Sequence, residues 1–436
     1  MPWFTKTAPA IARPEIEALL DQMIEEAKAR LSIPALHRVL LLPPDVTRAM
    51  SGAGWMAEHL YNTLTSAGAE VHVIPALGQH VPLTEDEKKW MFGTIPSDRI
   101  HVHDWQNGTT HLGAVPADYV KNITSGAADW EIPVELNNMV VGEQWDLIVT
   151  IGQVVPHEVL GFANHNKNYF VGLGSADALG ASHLAAAMCG IENTLGNLVT
   201  PVRKCFNYAE DTYLGGLPDV YVQVVLKDDG QGSLTHTGVF VGDDFETYLE
   251  AAKLSRDQNI TAVDEPFDKV VAFMRPDEYH ATWVANKAVY RTRMAMADGG
   301  ELLIIAPGVE RFGEQPGADA IIRKYGYIST SQVLALYQDS PDMQANRSAV
   351  AHLMHGAPEG RFKVTYAPGH LTREEIESVG YGYMDVGEAL ARYNPDDLHD
   401  GYNTMPDGER IFFISNPAAG LWSTKERLYN RPGETE

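Results

Sequence analysis

The sequence HEVLGFANHNKNYFVGLGSADALGASH, which spans His157 to His183, follows the apolar run WDLIVTIG at residues 145–152. The apolar run predicts a buried strand, and the segment after it carries three histidines and one lysine. Imidazole and amine groups are the usual carriers of proton transfer, metal ligation and covalent attachment. Active sites of α/β proteins gather beyond the carboxyl ends of strands. The stretch therefore indicates an α/β fold with a site at this strand end, and a solvated loop with surface histidines is the alternative.

The composition indicates a soluble protein of two domains. The chain has 436 residues, 44% of them apolar and 21% charged, with 33 basic against 58 acidic side chains. The resulting net charge of −25 argues against a nucleic-acid partner. Cys189 and Cys205 fit neither a disulfide framework nor a paired metal or redox motif. We expect a cytoplasmic protein, since no apolar run approaches the roughly 18 residues of a membrane helix and no secretory signal is apparent.

The first half of the chain alternates strand, polar loop and helix, which predicts a mostly parallel sheet flanked by helices. Strands are predicted at 38–43, 70–75, 99–103 and 145–152, and helices at 14–31 and 55–66, with a further helix after the capping box at 84–87. Residues 107–138 have weak periodicity and receive no assignment. Reactive groups follow three strand ends: Asp45 with Arg48, then His80, then His157. This coincidence favours a site over scattered surface residues.

The second half predicts a hairpin and then another alternating α/β block. The hairpin pairs 219–226 with 235–241 through a turn at 228–232. Helices are predicted at 245–256, 282–296, 318–325, 331–338 and 373–379, and strands at 269–274, 301–307, 362–367 and 410–415. We therefore expect domains at 1–265 and 266–436, an active site in the cleft between them, and a last strand that is a candidate to return to the first domain.

The second domain offers weaker candidates. Trp283 and Lys287 lie four residues apart and would share one helix face, although a lysine on a solvated face is far commoner. The glycines at 308, 313 and 317 lack the order of a nucleotide-binding loop. Four further histidines have no evident partner and are assigned surface or packing roles: His101, His103, His352 and His355.

The motifs described so far resemble those of the nickel-dependent lactate racemase family, whose members are 2-hydroxyacid racemases and epimerases with a nickel-pincer nucleotide. The family's D-x-T-R motif appears as Asp45-Val46-Thr47-Arg48, and its G-x-H motif appears as Gly78-Gln79-His80. His157, Lys167 and His183 keep the family's spacings of ten and sixteen residues.

The resemblance implies a role for each cofactor residue. Lys167 would be attached covalently to the nickel-pincer nucleotide through a thioamide. His183 would be the protein ligand to nickel, for which imidazole is well suited. Asp45 would support the cofactor and the histidines. Maturation would require cofactor-biosynthesis enzymes as partners.

The resemblance also implies the substrate side of the site. His80 and His157 would be the acid–base pair, and Arg48 would bind the substrate carboxylate through a bidentate guanidinium. Lys287 matches the family's substrate-side lysine. The C2 hydrogen of a 2-hydroxyacid would leave as hydride while one histidine takes the hydroxyl proton. Two bases would serve the two hands of the substrate.

Departures from the family pattern lie around the site. A glycine pair before the lysine is replaced by Asn164-His165-Asn166, and a tyrosine–glutamine pair by Trp283-Val284 when aligned through Lys287. These changes favour a substrate larger or more polar than lactate, with an aldonate such as gluconate as one candidate. Two alternatives stay open: a zinc- or lysine-dependent hydrolase or lyase, and a non-enzymatic cofactor carrier.

Overall fold

The computed structural model describes residues 1–228 and 233–431. The chain divides into two compact units. The first unit consists of Met1–Ser182, Leu198–Lys227 and Leu234–Gln258, and the second of His183–Asn197, Asp228–Ser233 and Asn259–Glu436. Among the described residues, none of the helices has the length and apolar character that a membrane crossing requires.

The helices and strands of the first 214 residues follow one another in this order: β1 (Phe4–Thr7), α1 (Arg13–Leu31), β2 (Arg38–Leu42), α2 (Ala53–Ser66), β3 (Glu70–Val73), α3 (Glu85–Phe92), β4 (Thr109–Val115), α4 (Ala117–Ile123), β5 (Ile132–Asn137), α5 (Asn138–Val141), β6 (Leu147–Gln153), β7 (Pro156–His157), β8 (Gly161–Phe162), α6 (Lys167–Phe170), α7 (Ala176–Met188), α8 (Ile191–Thr194) and α9 (Pro201–Ala209). Short 3-10 helices lie at Val46–Ser51 and Ser97–Arg99, and a π-helix at Glu210–Leu214.

The rest of the chain continues with β9 (Asp219–Asp228), β10 (Leu234–Gly242), α10 (Phe245–Asn259), β11 (Ile260–Val263), β12 (Phe267–Phe273), α11 (Thr282–Ala285), α12 (Lys287–Thr292), β13 (Met296–Ala306), α13 (Pro316–Tyr325), α14 (Thr330–Asp339), α15 (Pro341–Ala345), α16 (Arg347–Gly356), β14 (Lys363–Pro368), α17 (Arg373–Ser378), β15 (Gly382–Tyr383), α18 (Val386–Arg392), β16 (Gly401–Thr404), β17 (Arg410–Ile414), β18 (Leu421–Thr424) and α19 (Lys425–Tyr429).

The first unit is built on a sheet in which the described strands follow the order β1-β10-β9-β6-β2-β3. The pairs β3–β2, β2–β6 and β6–β9 are parallel, and β1 is antiparallel to β10. On one face, Val39, Val149 and Val222 are fully buried in a core that also contains Leu20 of α1 and Leu60 of α2. The carboxyl ends of three neighbouring parallel strands, β3, β2 and β6, therefore meet along one edge.

The second unit has its own sheet, with the described strands in the order β15-β14-β13-β12-β17-β16. All neighbouring pairs in it are parallel except β16–β17. The mixed α/β architecture with helix-flanked, mostly parallel sheets is the fold class that the sequence predicts, and it is confirmed. The predicted return of the last strand is wrong, because β17 pairs with β12 and β16 inside this sheet.

Two predicted elements do not form. The strand at 99–103 is replaced by a 3-10 helix and a single bridge between Ile100 and Val73, so pairing along this edge stops after one residue. The helix at 282–296 breaks at Asn286, whose amide accepts a hydrogen bond from the Tyr366 hydroxyl at 2.7 Å and donates one to the Tyr381 hydroxyl at 3.1 Å. Met296 then begins β13 instead of ending a helix.

Residues 107–138, which the sequence left unassigned, form the antiparallel pair β4–β5 with α4 between its strands. The hairpin strands β9 and β10 are neighbours as predicted, and residues 229–232 of the predicted turn lie outside the described residues.

Candidate active site

Three loops of the first unit bring the predicted site residues to the same edge of the sheet. Asp45 follows β2, His80 follows β3, and His157 ends the short strand after β6. A parallel bridge between Pro44 and Ala76 keeps the first two loops side by side. The amide of Gly78, a residue with φ of 59°, donates to the Gly172 carbonyl at 2.8 Å and ties the His80 loop to the chain just beyond Lys167.

The buried Asp45 and the half-buried His80 form a carboxylate–imidazole pair. Asp45 is 3% exposed, its Oδ1 accepts from the Thr47 hydroxyl at 2.6 Å, and its Oδ2 lies 2.5 Å from His80 Nδ1. Burial acts to raise the pKa of Asp45, but the charge and hydrogen bond of His80, the Thr47 hydrogen bond and the Lys167 charge outweigh it and lower that pKa. An ionised Asp45 requires a proton on His80 Nδ1, which leaves Nε2 of the neutral ring as the acceptor.

His157 has the opposite arrangement. It is 6% exposed, lies in β7, which pairs with β8, and accepts the Val159 backbone N–H on Nδ1 at 3.2 Å. An accepting Nδ1 places the proton of the neutral ring on Nε2. In the neutral rings, Nε2 of His80 is therefore a hydrogen-bond acceptor and Nε2 of His157 is a hydrogen-bond donor.

Lys167 begins α6 and is half-buried, and its charge reaches Asp45. The residues before it are buried: Asn164, His165 and Asn166 are 2%, 1% and 0% exposed. They therefore lie inside the first unit, as buried as Asp45 and His157. His165 is not a surface residue, since its ring stacks on Tyr221 with centroids 4.0 Å apart.

Arg48 lies in the 3-10 helix after Asp45 and is half-buried. Within residues 1–228 and 233–431, its guanidinium makes no hydrogen bond or ion pair with a protein group. In a chain of net charge −25, a cation that has no carboxylate partner and follows Asp45 closely along the chain is suited to an anionic ligand.

His183 lies in α7, whose first part belongs to the first unit and whose last part, from His183 onward, belongs to the second. The following residues are anchored in the second unit. The Glu192 carboxylate pairs with Arg293 at 3.1 Å and with Arg361 at 2.8 Å, and Arg431 donates to the Leu195 carbonyl at 2.6 Å.

In the second unit, Trp283 and Lys287 lie on two short helices rather than on one. The Trp283 indole stacks on the His352 ring with centroids 4.3 Å apart, and the Lys287 Nζ lies 5.8 Å from the centre of the Tyr279 ring. His352 was assigned only a surface or packing role; it is 5% exposed, and its ring nitrogens lie 2.7 and 2.8 Å from the hydroxyls of Tyr290 and Tyr327. No pattern in the sequence pairs residues so far apart along the chain.

The histidines at 101 and 103 also have partners that the sequence did not reveal. His101 Nε2 lies 2.8 Å from His72 Nδ1, and His103 Nε2 lies 3.0 Å from the Gly174 carbonyl oxygen. Across the described part of the chain, no group of three or more His, Cys, Asp or Glu side chains is arranged to hold a metal ion.

Residues 6–195 match the family model described as the lactate racemase N-terminal domain. No curated protein sequence is significantly similar to the chain.

Two solved structures share the fold. A crystal structure of a protein from Thermotoga maritima has 24% sequence identity, covers 96% of this chain and 100% of that chain, and gives a TM-score of 0.82. The lactate racemase apoprotein from Thermoanaerobacterium thermosaccharolyticum has 18% identity, covers 93% of this chain and 92% of that chain, and gives a TM-score of 0.68. At these identities the likeness establishes the fold alone.

Proposed function

We propose that this chain, whose residues 6–195 match the family model described as the lactate racemase N-terminal domain, belongs to that family and is an isomerase that inverts C2 of a 2-hydroxyacid. The observation that best supports the proposal is the pair His80 and His157, whose hydrogen bonds set opposite tautomers at one edge of the sheet. Inversion in both directions needs one group that takes a proton and another that gives one.

We propose that Lys167 carries a nickel-pincer nucleotide and that His183 is the protein ligand to nickel. The residues fit such a group: Lys167 is a half-buried amine near a carboxylate, and the described part of the chain lacks a metal site of its own with three ligands. A single imidazole suits nickel when an organic group supplies the other ligands. When bound, this cofactor would supply the electrophile that accepts the C2 hydrogen with its electron pair.

The protein's own part is to move protons. His80 Nε2 takes the proton of the substrate hydroxyl, and the ionised Asp45 stabilises the imidazolium that forms. On the return step, His157 acts as an imidazolium, gives its Nε2 proton to the oxygen at C2 and ends neutral, so each cycle starts with one neutral and one protonated histidine. For the opposite hand of the substrate, the two histidines exchange roles.

Arg48 binds the substrate carboxylate in this proposal, since its guanidinium has no protein partner in the described part of the chain. Lys287 and Trp283 are proposed substrate contacts from the second unit, where His352 supports the indole. The replacement of the family's glycine pair by Asn164-His165-Asn166, with Trp283-Val284, favours a substrate larger or more polar than lactate, with an aldonate such as gluconate as one candidate. The proposal therefore names the class, 2-hydroxyacids, and leaves lactate and aldonates to be compared directly.

The test uses full-length protein co-produced with and without the cofactor-biosynthesis enzymes. Intact mass should show an adduct on Lys167 only in the first case, with nickel bound. Incubation with C2-deuterated 2-hydroxyacids, lactate and gluconate among them, should give inversion with the label retained at C2. Release of the label to solvent would exclude hydride transfer.

The same experiment separates the alternatives. A hydrolase or lyase would be activated by zinc and would carry no adduct on Lys167. A cofactor carrier would show the adduct and bound nickel but no inversion of any substrate in the panel. His183→Ala should keep the fold and the adduct but lose nickel; unchanged nickel content would refute the ligand assignment.

A further inference from the structure

Arg203 is a buried cation in the first unit that the proposed chemistry does not use. It lies in α9, is 0% exposed, and has no carboxylate within ion-pair distance among the described residues. A charge removed from water without a counter-charge costs several kcal/mol unless hydrogen bonds replace the lost hydration. The contacts of Arg203 therefore show what the charge is kept for.

These contacts converge on the residues that precede Lys167. The two terminal nitrogens of Arg203 donate to the Phe162 carbonyl at 2.6 Å and to the Asn164 carbonyl at 3.3 and 3.4 Å. One of them also donates to the Asn166 side-chain oxygen. The guanidinium lies 4.3 Å from the centre of the Tyr248 ring, which covers its face. The Arg203 side chain is thus hydrogen-bonded to three residues of the five-residue segment 162–166.

The segment needs such support, because its backbone is unfavourable. Asn164 and His165 have φ of 67° and 58°, two consecutive non-glycine residues in the left-handed region. Each such residue costs on the order of 1 kcal/mol and persists only where its surroundings enforce it. Asn tolerates this conformation better than His, whose ring is held by its stack on Tyr221.

The asparagines complete the clamp. The Asn164 amide donates to the Gly152 carbonyl at the end of β6 at 2.8 Å, and Asn168 donates to the Asn164 oxygen at 2.8 Å. Asn166 donates to Asn207 and to Glu210, each at 2.8 Å. The segment is therefore tied both to the central strand and to the helix that carries Arg203.

We propose that Arg203, with Asn164 and Asn166, is a positioning residue that fixes the backbone before Lys167 and so holds the Lys167 amine in place for cofactor attachment. The inference rests on the proposed function of Lys167. The Arg203 guanidinium stabilises the strained backbone of the segment before Lys167. Because Lys167 follows that segment directly and begins α6, ordering the segment also restricts the position of Lys167. Arg203 itself touches neither substrate nor cofactor in this account.

The test measures the reactivity of Lys167 in the cofactor-free, full-length protein. Trace labelling with N-acetoxysuccinimide, read by peptide mass spectrometry, compares Lys167 with exposed Lys121 in the same sample. In Arg203→Lys, the Lys167 to Lys121 labelling ratio should rise about threefold or more, because local opening exposes a half-buried amine. Arg291→Lys is the matched control: Arg291 is 1% exposed in the second unit, and its replacement should lower Tm without changing the ratio.

A second variant covers failure of Arg203→Lys to fold. Asn164→Gly accepts the positive φ without strain and removes the bonds to Gly152 and Asn168. It should fold and also raise the ratio. An unchanged ratio in either folded variant would overturn the inference, since a purely structural role predicts a loss of Tm alone.

The occupancy of the cofactor adduct on Lys167 distinguishes a failure of this inference from a failure of the proposed function. In protein co-produced with the cofactor-biosynthesis enzymes, the wild type should carry the adduct and the two variants should carry it at lower occupancy. A wild type without adduct would defeat the proposed function while the labelling ratio still decides whether Arg203 orders Lys167. Full occupancy in variants with a raised ratio would overturn the link to attachment.

Discussion

Nδ1 of His80 lies 2.5 Å from Oδ2 of Asp45, whose other oxygen accepts the Thr47 hydroxyl. This contact joins the loops after two neighbouring parallel strands and fixes which nitrogen of His80 faces away from the carboxylate. In the proposed mechanism, Asp45 therefore positions His80, the proposed base, in addition to lying near the proposed cofactor lysine, Lys167.

Asp45→Asn should lower kcat about 10²-fold or more, because an amide no longer selects the Nδ1–H tautomer or stabilises the imidazolium. The expected loss falls on kcat rather than KM, and Tm should change little. Steady-state kinetics on cofactor-loaded protein checks this. Glu70→Gln is the matched control. An oxygen of the Glu70 carboxylate lies 3.0 Å from His72 Nε2, and both residues lie in β3 rather than in the loops beyond the strand carboxyl ends. Equal losses in both variants would contradict the assignment.

Arg48→Gln should raise KM for the 2-hydroxyacid about 10- to 100-fold, since a charge-assisted hydrogen bond contributes about 1.5–3 kcal/mol. Arg48→Lys should recover only part of this, because an ammonium cannot bind a carboxylate through two parallel bonds. The readout is the KM against kcat split, with exposed Arg13→Gln as the control. An unchanged KM would place the carboxylate elsewhere.

The contributions of His165 and Asp219 to the pH dependence of the free energy of unfolding are expected to cancel each other. Burial, with the Arg203 charge, lowers the pKa of His165 from 6.5 to about 3, and burial, with the Glu210 charge, raises the pKa of Asp219 from 3.8 to about 7. The Tyr221 hydroxyl contacts both Asp219 and Glu210, yet it has one proton, so the second contact needs a carboxyl proton. Burial also raises the pKa of Glu210.

Between about pH 4 and 6.5 the unfolded chain binds a proton on His165 and none on Asp219, while the folded protein does the reverse. The two slopes then oppose each other. His165→Asn should leave a free energy of unfolding that falls as pH rises, and Asp219→Asn one that falls as pH drops, each by more than about 1 kcal/mol across the window. Urea unfolding at several pH values measures both, and parallel curves for the two variants would refute the pairing.

Asn286→Ala should destabilise the protein by about 2 kcal/mol, because it leaves the buried hydroxyls of Tyr366 and Tyr381 each without one partner. The expected result is a lower midpoint of chemical unfolding in the second unit. Exposed Asn62→Ala, which removes a single bond to Thr94, should change the free energy of unfolding by less than about 0.5 kcal/mol. Similar losses in the two variants would argue against a special role for Asn286.

The sequence by itself determined the alternation of strands and helices and the residues at three strand ends. Apolar runs such as 145–152 select buried parallel strands, and parallel strands necessarily bring their carboxyl ends together, so Asp45, His80 and His157 could be grouped before any coordinates. Local signals sufficed there because each depends on residues close in the chain.

Only the tertiary structure decided the tautomers of the two histidines, the break at Asn286, and the burial of Asn164-His165-Asn166 beneath Arg203. The His80 tautomer, the break at Asn286 and the enclosure of residues 164–166 depend on hydrogen bonds between residues tens of positions apart, which leave no periodic trace in the sequence. The His157 tautomer depends on a contact with Val159 that only the folded backbone brings about. A polar run such as 164–166 reads as solvated because its composition is polar, yet a buried guanidinium and buried amides satisfy one another and make the interior the favourable place for it.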